Sequence, residues 1–249
     1  MTSLGLSLVS QPKYTKSSLD RIRDLGFSHI SVTPQQLGLL EPSSSTAEGN
    51  LSVFRYAHSI GLHVHSIQGL FFGIKPDSEN LQYLLNERIS KLADCASSLS
   101  IPHVVLGSPD FRKFPSSWDI LMTALDAFKD IFANGIHMEN ICLGSASCDL
   151  SANYPIRQSL AQVSCMLDIS NLLDCKHVPV ESFVNSVTSN FCHISSANHQ
   201  MPRNQKEFNE ILSILNSFPQ ILVVIWEIFS SDTEEVFSLM ENFNRYLKF

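Results

Sequence analysis

From one end to the other, the sequence alternates short runs rich in β-branched and other apolar residues with longer runs of helical period. That alternation confines the chain to parallel strands joined by crossover helices, because a strand returns parallel to its neighbour only over a connection of about a dozen residues or more. Eight strand candidates are present: Leu4–Val9, His29–Thr33, His63–Ile67, His103–Leu106, Ile141–Leu143, Val163–Leu167, Phe191–Ile194 and Ile221–Trp226. Several are nearly continuous apolar runs, Ile221 to Trp226 most clearly, as strands covered on both faces must be. Helical period runs through Ser17–Leu25, Leu81–Leu99, Ile120–Ala133 and Phe208–Leu215, and Gly26, Gly61 and Gly135 follow such runs as C-terminal caps. Eight strand–helix units close into a (β/α)8 TIM barrel, whereas five or six would suggest an open doubly wound sheet. At 249 residues and 44% hydrophobic content the chain can fill one such barrel, and no Pro- or Gly-rich linker divides it, so one domain over 1–249 is expected. Asn153 to Gln162 and Cys175 to Ser189 are the poorly patterned stretches.

Composition narrows the partners. A formal net charge of -7 with only 17 Lys and Arg offers no general attraction to a phosphate backbone, so no nucleic-acid partner is expected. No apolar run approaches the roughly 18 to 20 residues that span a bilayer, and Met1 to Ser10 lacks a basic stretch followed by a long apolar one. The six cysteines, Cys95, Cys142, Cys148, Cys165, Cys175 and Cys192, show no C-x-x-C spacing and read as buried free thiols. A cytoplasmic protein without a membrane segment is the expectation.

In a barrel of this kind the loops after the strands build the active site, so polar residues just beyond strand ends carry the functional reading. After strand three comes His65-Ser66-Ile67-Gln68-Gly69; after strand four, Gly107-Ser108-Pro109-Asp110-Phe111-Arg112. Strand six ends in Asp168, strand seven contains His193, and strand eight runs into Glu227. Asp, His and Glu at the same end of three successive strands can converge on a divalent cation, since carboxylate oxygen and imidazole nitrogen suit Mn, Mg, Zn or Co. Plainer roles compete: Asp168 can cap the helix that follows it, His193 alone can be a core histidine, and Arg112 can be a surface charge. Glu227 is costly to bury unpaired after six apolar residues, which favours a cation, a basic partner or solvent at its carboxylate. His65, Gln68, Ser108 and Arg112 are the candidate substrate contacts, with the Arg112 guanidinium suited to an anionic group. His29, His58, His63 and His137 read as structural.

These residues, with Leu6-Ser7, Val32-Thr33-Pro34, Ser66 to Gly73, Leu106 to Pro109, Leu167-Asp168, His193-Ile194-Ser195 and Trp226-Glu227, resemble the sugar phosphate isomerase/epimerase family of xylose isomerase-like barrels over nearly the whole chain. The resemblance implies a divalent metal held by Glu, Asp, His and Glu from strands five to eight, three of them matched by Asp168, His193 and Glu227. It also implies that the strand-five and strand-eight glutamates act as the acid/base pair, which gives Glu227 a catalytic role. With strand five placed at Ile141-Cys142-Leu143, the first ligand falls on Gly144, which has no side chain to offer. Ser31 occupies the position where many relatives carry an acidic residue on strand two.

Two functions follow as expectations. One is a divergent isomerase or epimerase of a small carbohydrate or sugar phosphate, with an incomplete metal site that binds divalent ions weakly. The alternative is a catalytically impaired barrel that binds a ligand or a protein, a homo-oligomer included. An endonuclease IV-like repair enzyme shares the barrel but is disfavoured by the acidic balance.

Overall fold

The computed structural model describes residues 3–11, 13–39, 44–71, 81–106, 118–132, 135–140, 163–174, 179–230 and 232–243. Its strands are β1 (Ser3–Leu8), β2 (His29–Val32), β3 (His63–Ile67), β4 (His103–Leu106), β5 (Ile136–Glu139), β6 (Val163–Asp168), β7 (Phe191–Ile194) and β8 (Val223–Ile228). They close into one barrel in chain order, and every neighbouring pair is parallel. The seam between β1 and β8 is paired from Ser3↔Val223 through Leu8↔Ile228. The expected (β/α)8 barrel is the observed fold.

The described helices are α1 (Lys16–Asp24), α2 (Ser44–Ser59), α3 (Leu81–Leu99), α4 (Trp118–Phe132), α5 (Ile169–Asp174), α6 (Glu181–Val184), α7 (Gln205–Leu215) and α8 (Thr233–Phe243). Local sequence sets their ends. Thr15 and Ser18 form a reciprocal capping box at the start of α1, and the Asn204 side chain accepts from the Lys206 and Glu207 amides at the start of α7. Each such cap supplies about 1 kcal/mol. The buried face of α7 is Phe208, Ile211, Ile214 and Leu215, spaced as one stripe of a helix must be. No described helix is long and apolar enough to cross a membrane. Cys95, Cys165 and Cys192 are free and buried, as read from the sequence; the other three cysteines lie outside the described residues.

Strand five departs from the sequence reading. It spans Ile136–Glu139, not Ile141–Leu143, and Gly144 lies outside the described residues. The apolar Ile141-Cys142-Leu143 looks more strand-like than Ile136-His137-Met138-Glu139, but connection length decides. Placing the strand at Ile136 leaves only residues 133 to 135 after α4, within the roughly 2 to 6 residues usual for such a turn. Gly135 makes that turn possible: a Cβ there would lie 1.9 Å from the Pro102 carbonyl oxygen. Its own carbonyl accepts from the Val104 amide at 2.8 Å, so the β4–β5 ladder starts at this glycine.

The core has two parts. The larger one fills the space between sheet and helices and contains Leu19, Ile22, Phe54, Phe128, Phe208 and Trp226. The smaller one, Val105, Met166, Phe191 and Ile225, comes from β4, β6, β7 and β8, and strands so far apart around a barrel meet only in its interior. Imidazoles complete this floor. The rings of His65, His103 and His137 lie 4.6, 5.2 and 4.5 Å from the Phe191 ring, and His29 lies 5.3 Å from His65. Gly5 on β1 leaves room for them, since a Cβ there would come within 3.1 Å of both His29 and Ile225.

Candidate metal centre

Side chains alternate between the two faces of a strand, so the residue two positions beyond an inward floor residue also points inward, one layer nearer the C-terminal mouth. That rule applied to His137, Met166, Phe191 and Ile225 gives Glu139, Asp168, His193 and Glu227. These four each place a ligand atom within 4.8 Å of all the others. Asp168 and His193 are fully buried. His193 Nδ1 is 3.6 Å from both Glu139 Oε2 and Glu227 Oε1, too far for a hydrogen bond, and neither nitrogen of its ring has a hydrogen-bond partner. A fully buried imidazole facing carboxylates without touching them is the arrangement a cation between them would satisfy, and carboxylates with an imidazole form a suitable donor set for a divalent ion.

The neighbouring side chains fix this geometry. Asn140 follows Glu139 and extends the β5–β6 pairing beyond its end: its Oδ1 accepts from the Asp168 amide at 2.6 Å and its Nδ2 donates to the Asp168 carbonyl at 2.9 Å. Asp168 does cap the following helix, accepting at Oδ1 from the Asn171 amide at 3.1 Å, and still presents its carboxylate to the cluster. Asn171 Nδ2 donates to Asp168 Oδ2 and to the Asn140 carbonyl, both at 2.9 Å. Across the barrel, Gln68 Nε2 donates to Glu227 Oε1 at 2.6 Å and to Ser7 Oγ at 3.1 Å, while its Oε1 accepts from Ser31 Oγ at 3.0 Å. Ser31 thus serves a buried polar network. Gln68→Leu removes three buried hydrogen bonds, although Ser31 keeps Ser66 as a partner, so we expect a loss of about 1 to 3 kcal/mol and a fall in Tm of several degrees. Thermal unfolding of the two proteins checks this; an unchanged Tm would show that the network carries no stability.

Electrostatics express the same crowding of negative charge. Burial works to lower the His193 pKa, but Glu227 and Glu139 outweigh it and push it up to about 10. Burial works to raise the Glu227 carboxyl, yet His193 and His199 hold it well below the usual carboxylate range. Asp168 moves the other way, raised by burial and by the nearby Glu227 and Glu139 against the pull of His199. Protons and imidazolium charge here neutralise what a bound cation would neutralise instead.

His199, which the sequence did not single out, belongs to this centre. Its Nδ1 is 3.0 Å from Glu227 Oε2 and 4.0 Å from Asp168 Oδ2. Of the residues that were singled out, Asp168, His193 and Glu227 come together, and Gln68 joins them through Glu227. His65 lies lower, with its ring against Phe191, His103 and His29 in the floor. Ser108 and Arg112 fall outside the described residues. The fourth position assigned to Gly144 is corrected: strand five ends at Glu139, whose carboxylate joins the group that could hold an ion.

No protein-family profile matches the sequence, and no curated sequence is significantly similar to it. Solved structures do match. A xylose isomerase domain protein from Alicyclobacillus acidocaldarius superposes with a TM-score of 0.66 at 14% identity, covering 98% of each chain. D-psicose 3-epimerase from Clostridium cellulolyticum, solved with D-tagatose, gives 0.65 at 12% identity over 99% of each chain. A family 2 AP endonuclease from Brucella melitensis gives 0.66 at 13% identity, again over 99% of each chain. The chain therefore has the xylose isomerase-like barrel fold.

Proposed function

We propose that the chain is a divalent-metal-dependent isomerase or epimerase acting on a small sugar or sugar phosphate, with proton transfer next to a carbonyl as its chemistry. The observation that carries the reading is the four-sided cluster of Glu139, Asp168, His193 and Glu227, closed around an imidazole whose two nitrogens have no hydrogen-bond partner. These residues would hold a Mn, Mg, Co or Zn ion, which polarises the carbonyl and hydroxyl oxygens of a bound sugar. Glu139 and Glu227 arrive from β5 and β8 and flank the space above the cluster. One carboxylate takes the proton from carbon while the other returns one, which is how a stereocentre is inverted or a carbonyl moved along the chain. Gln68 orients Glu227 through its 2.6 Å hydrogen bond. The fold alone also accommodates endonucleases, but an acidic chain of net charge -7 favours a small-molecule substrate. A barrel that binds without catalysing was motivated by the missing strand-five carboxylate, and Glu139 removes that motive.

The test is solvent exchange. Protein loaded with Mn and incubated with a panel of ketoses and ketose phosphates in D2O is expected to introduce deuterium at the carbon beside the carbonyl, as read by NMR. Removal of the metal by chelator should abolish the exchange. A protein that binds no divalent ion at millimolar concentration would overturn the proposal.

A further inference from the structure

We propose that the histidine floor, towards the N-terminal ends of the strands, is a separate binding site for a late first-row transition ion, Ni(II) or Cu(II). His103 Nδ1 and His137 Nε2 are its two protein ligands, and water completes the shell from the side of His103. The site shares no ligand with the carboxylate cluster and does not depend on the proposed function.

The strands place these rings. His29, His63 and His103 are the first residues of β2, β3 and β4, and His137 is the second residue of β5. Between β2 and β3 the register slips: Ile30 faces Val64 but Ser31 faces Ser66, so His65 is an extra residue on β3. A bulge of this kind re-aims a side chain. The ring of His65 reaches that of His103 at 4.7 Å, and the ring of His103 meets that of His137 at 4.8 Å and 77°. With His58, His63 and His29, these three form an unbroken run of neighbouring imidazoles.

The closest approach in this run has the spacing of a ligand pair. His137 Nε2 and His103 Nδ1 are 3.0 Å apart. Nitrogens about 2.0 to 2.1 Å from one ion stand roughly 3 Å apart when they subtend a right angle. That is the bite of neighbouring corners in the tetragonal coordination that Cu(II) and Ni(II) prefer. As a hydrogen bond alone, the same contact leaves the hydrogen bonding of the floor incomplete. His137 Nδ1 and His65 Nδ1 are buried without a partner, in residues only 3% and 7% exposed. Such orphaned groups are rare in folded proteins, and here they fall in one cluster.

The donor set selects the ion. The ionisable groups that act most on His65 are themselves imidazoles, and burial lowers His103 to about 4. At neutral pH the His103 ring is therefore uncharged, as metal binding requires. Each ring of the pair keeps its one N–H on the nitrogen turned away from the ion, so binding releases no proton. Imidazoles without a carboxylate among them suit Ni, Cu or Zn and not Mg, Mn or Ca. The mouth, with three carboxylates and one imidazole, has the opposite preference. His103 is only partly buried, which leaves its side of the pair open to an arriving ion and to water.

Metal stoichiometry in two single variants tests the site without reference to turnover. Protein freed of metal by chelator dialysis is titrated with Ni by calorimetry. The native protein is expected to take up two equivalents, one at each end of the barrel, and His103→Gln and Asp168→Asn are each expected to lose one. Cu(II) added at one equivalent to Asp168→Asn is expected to show electron paramagnetic coupling to two imidazole nitrogens. A single equivalent that Asp168→Asn abolishes and His103→Gln keeps would overturn the floor site and leave the proposed function intact. A single equivalent with the reverse dependence would keep the floor site and remove the metal from the mouth. Equal uptake by the native protein and His103→Gln would assign the ion to surface histidines and overturn the floor site, as would no uptake at millimolar Ni. The nitrogen count carries the test by itself if His103→Gln does not fold: coupling to one nitrogen would remove the pair.

Discussion

Glu139→Gln is expected to lower turnover by about 10²- to 10⁴-fold, the usual contribution of a positioned acid or base. The substitution keeps the shape of the side chain and removes its charge and its basicity, so the loss belongs to the chemistry at the end of β5. Mn affinity should fall with it, by about tenfold or more, because an anionic oxygen donor becomes a neutral one at a hard cation. Both are measurable on one preparation, by deuterium exchange into a substrate that the native protein turns over and by titration calorimetry. A variant within threefold of the native protein in both measurements would remove Glu139 from the site.

The histidine floor makes the second large effect one of stability in acid. Burial, then the neighbouring imidazoles, lower His65 to about 2, and burial lowers His103 to about 4. In the unfolded chain both titrate near 6.5. Above that value neither state holds these protons, and the two groups contribute no pH dependence. Below it the unfolded chain takes up protons that the folded barrel refuses, so stability falls with falling pH towards the folded values. For His65 the slope approaches about 1.4 kcal/mol per pH unit, or roughly 2 kcal/mol between pH 6.5 and 4.5. His103 is only partly buried and adds less in the same direction. His65→Phe, which keeps a ring against Phe191, should flatten this limb. The carboxylates and imidazoles at the mouth of the barrel are common to both proteins and cancel in the comparison. Urea unfolding at a series of pH values measures the difference. Parallel curves from pH 6.5 to 4.5 would show that His65 is protonated as readily in the barrel as in the open chain.

Most of the barrel was legible because its strands are buried on both faces and announce themselves as apolar runs. His63–Ile67, His103–Leu106 and Phe191–Ile194 match the observed strands residue for residue. β5 was not legible in this way. Two of its four residues, His137 and Glu139, point into a polar interior, so its hydropathy is that of a loop and the more apolar Ile141-Cys142-Leu143 took its place. The helix end at Phe132 and the close approach at Gly135 are what set its position, and the second of these is a tertiary fact. The same error made the candidate ligand group look one carboxylate short. His199 was missed for a different reason. It sits in a turn, six residues after His193, where no periodicity operates, and only its place in a loop beyond a strand end could have drawn notice. Of the floor histidines, His29 and His137 were read as structural and His65 as a substrate contact; what the sequence could not show is that adjacent strands bring these rings together around Phe191.

The seam between β1 and β8 sets the order in which this protein becomes whole as it is made. Leu8 pairs with Ile228, so the strand that leaves the ribosome early waits for a partner roughly 220 residues behind it. At a synthesis rate of about 5 to 20 residues per second, that is roughly 10 to 40 s during which one side of β1 is an open edge. The hydrogen bond that ties Gln68 to Glu227 reaches β8 and comes into being only when that strand is in place. A nascent chain can therefore hold most of its sheet and helices while Glu227 has yet to join Glu139, Asp168 and His193.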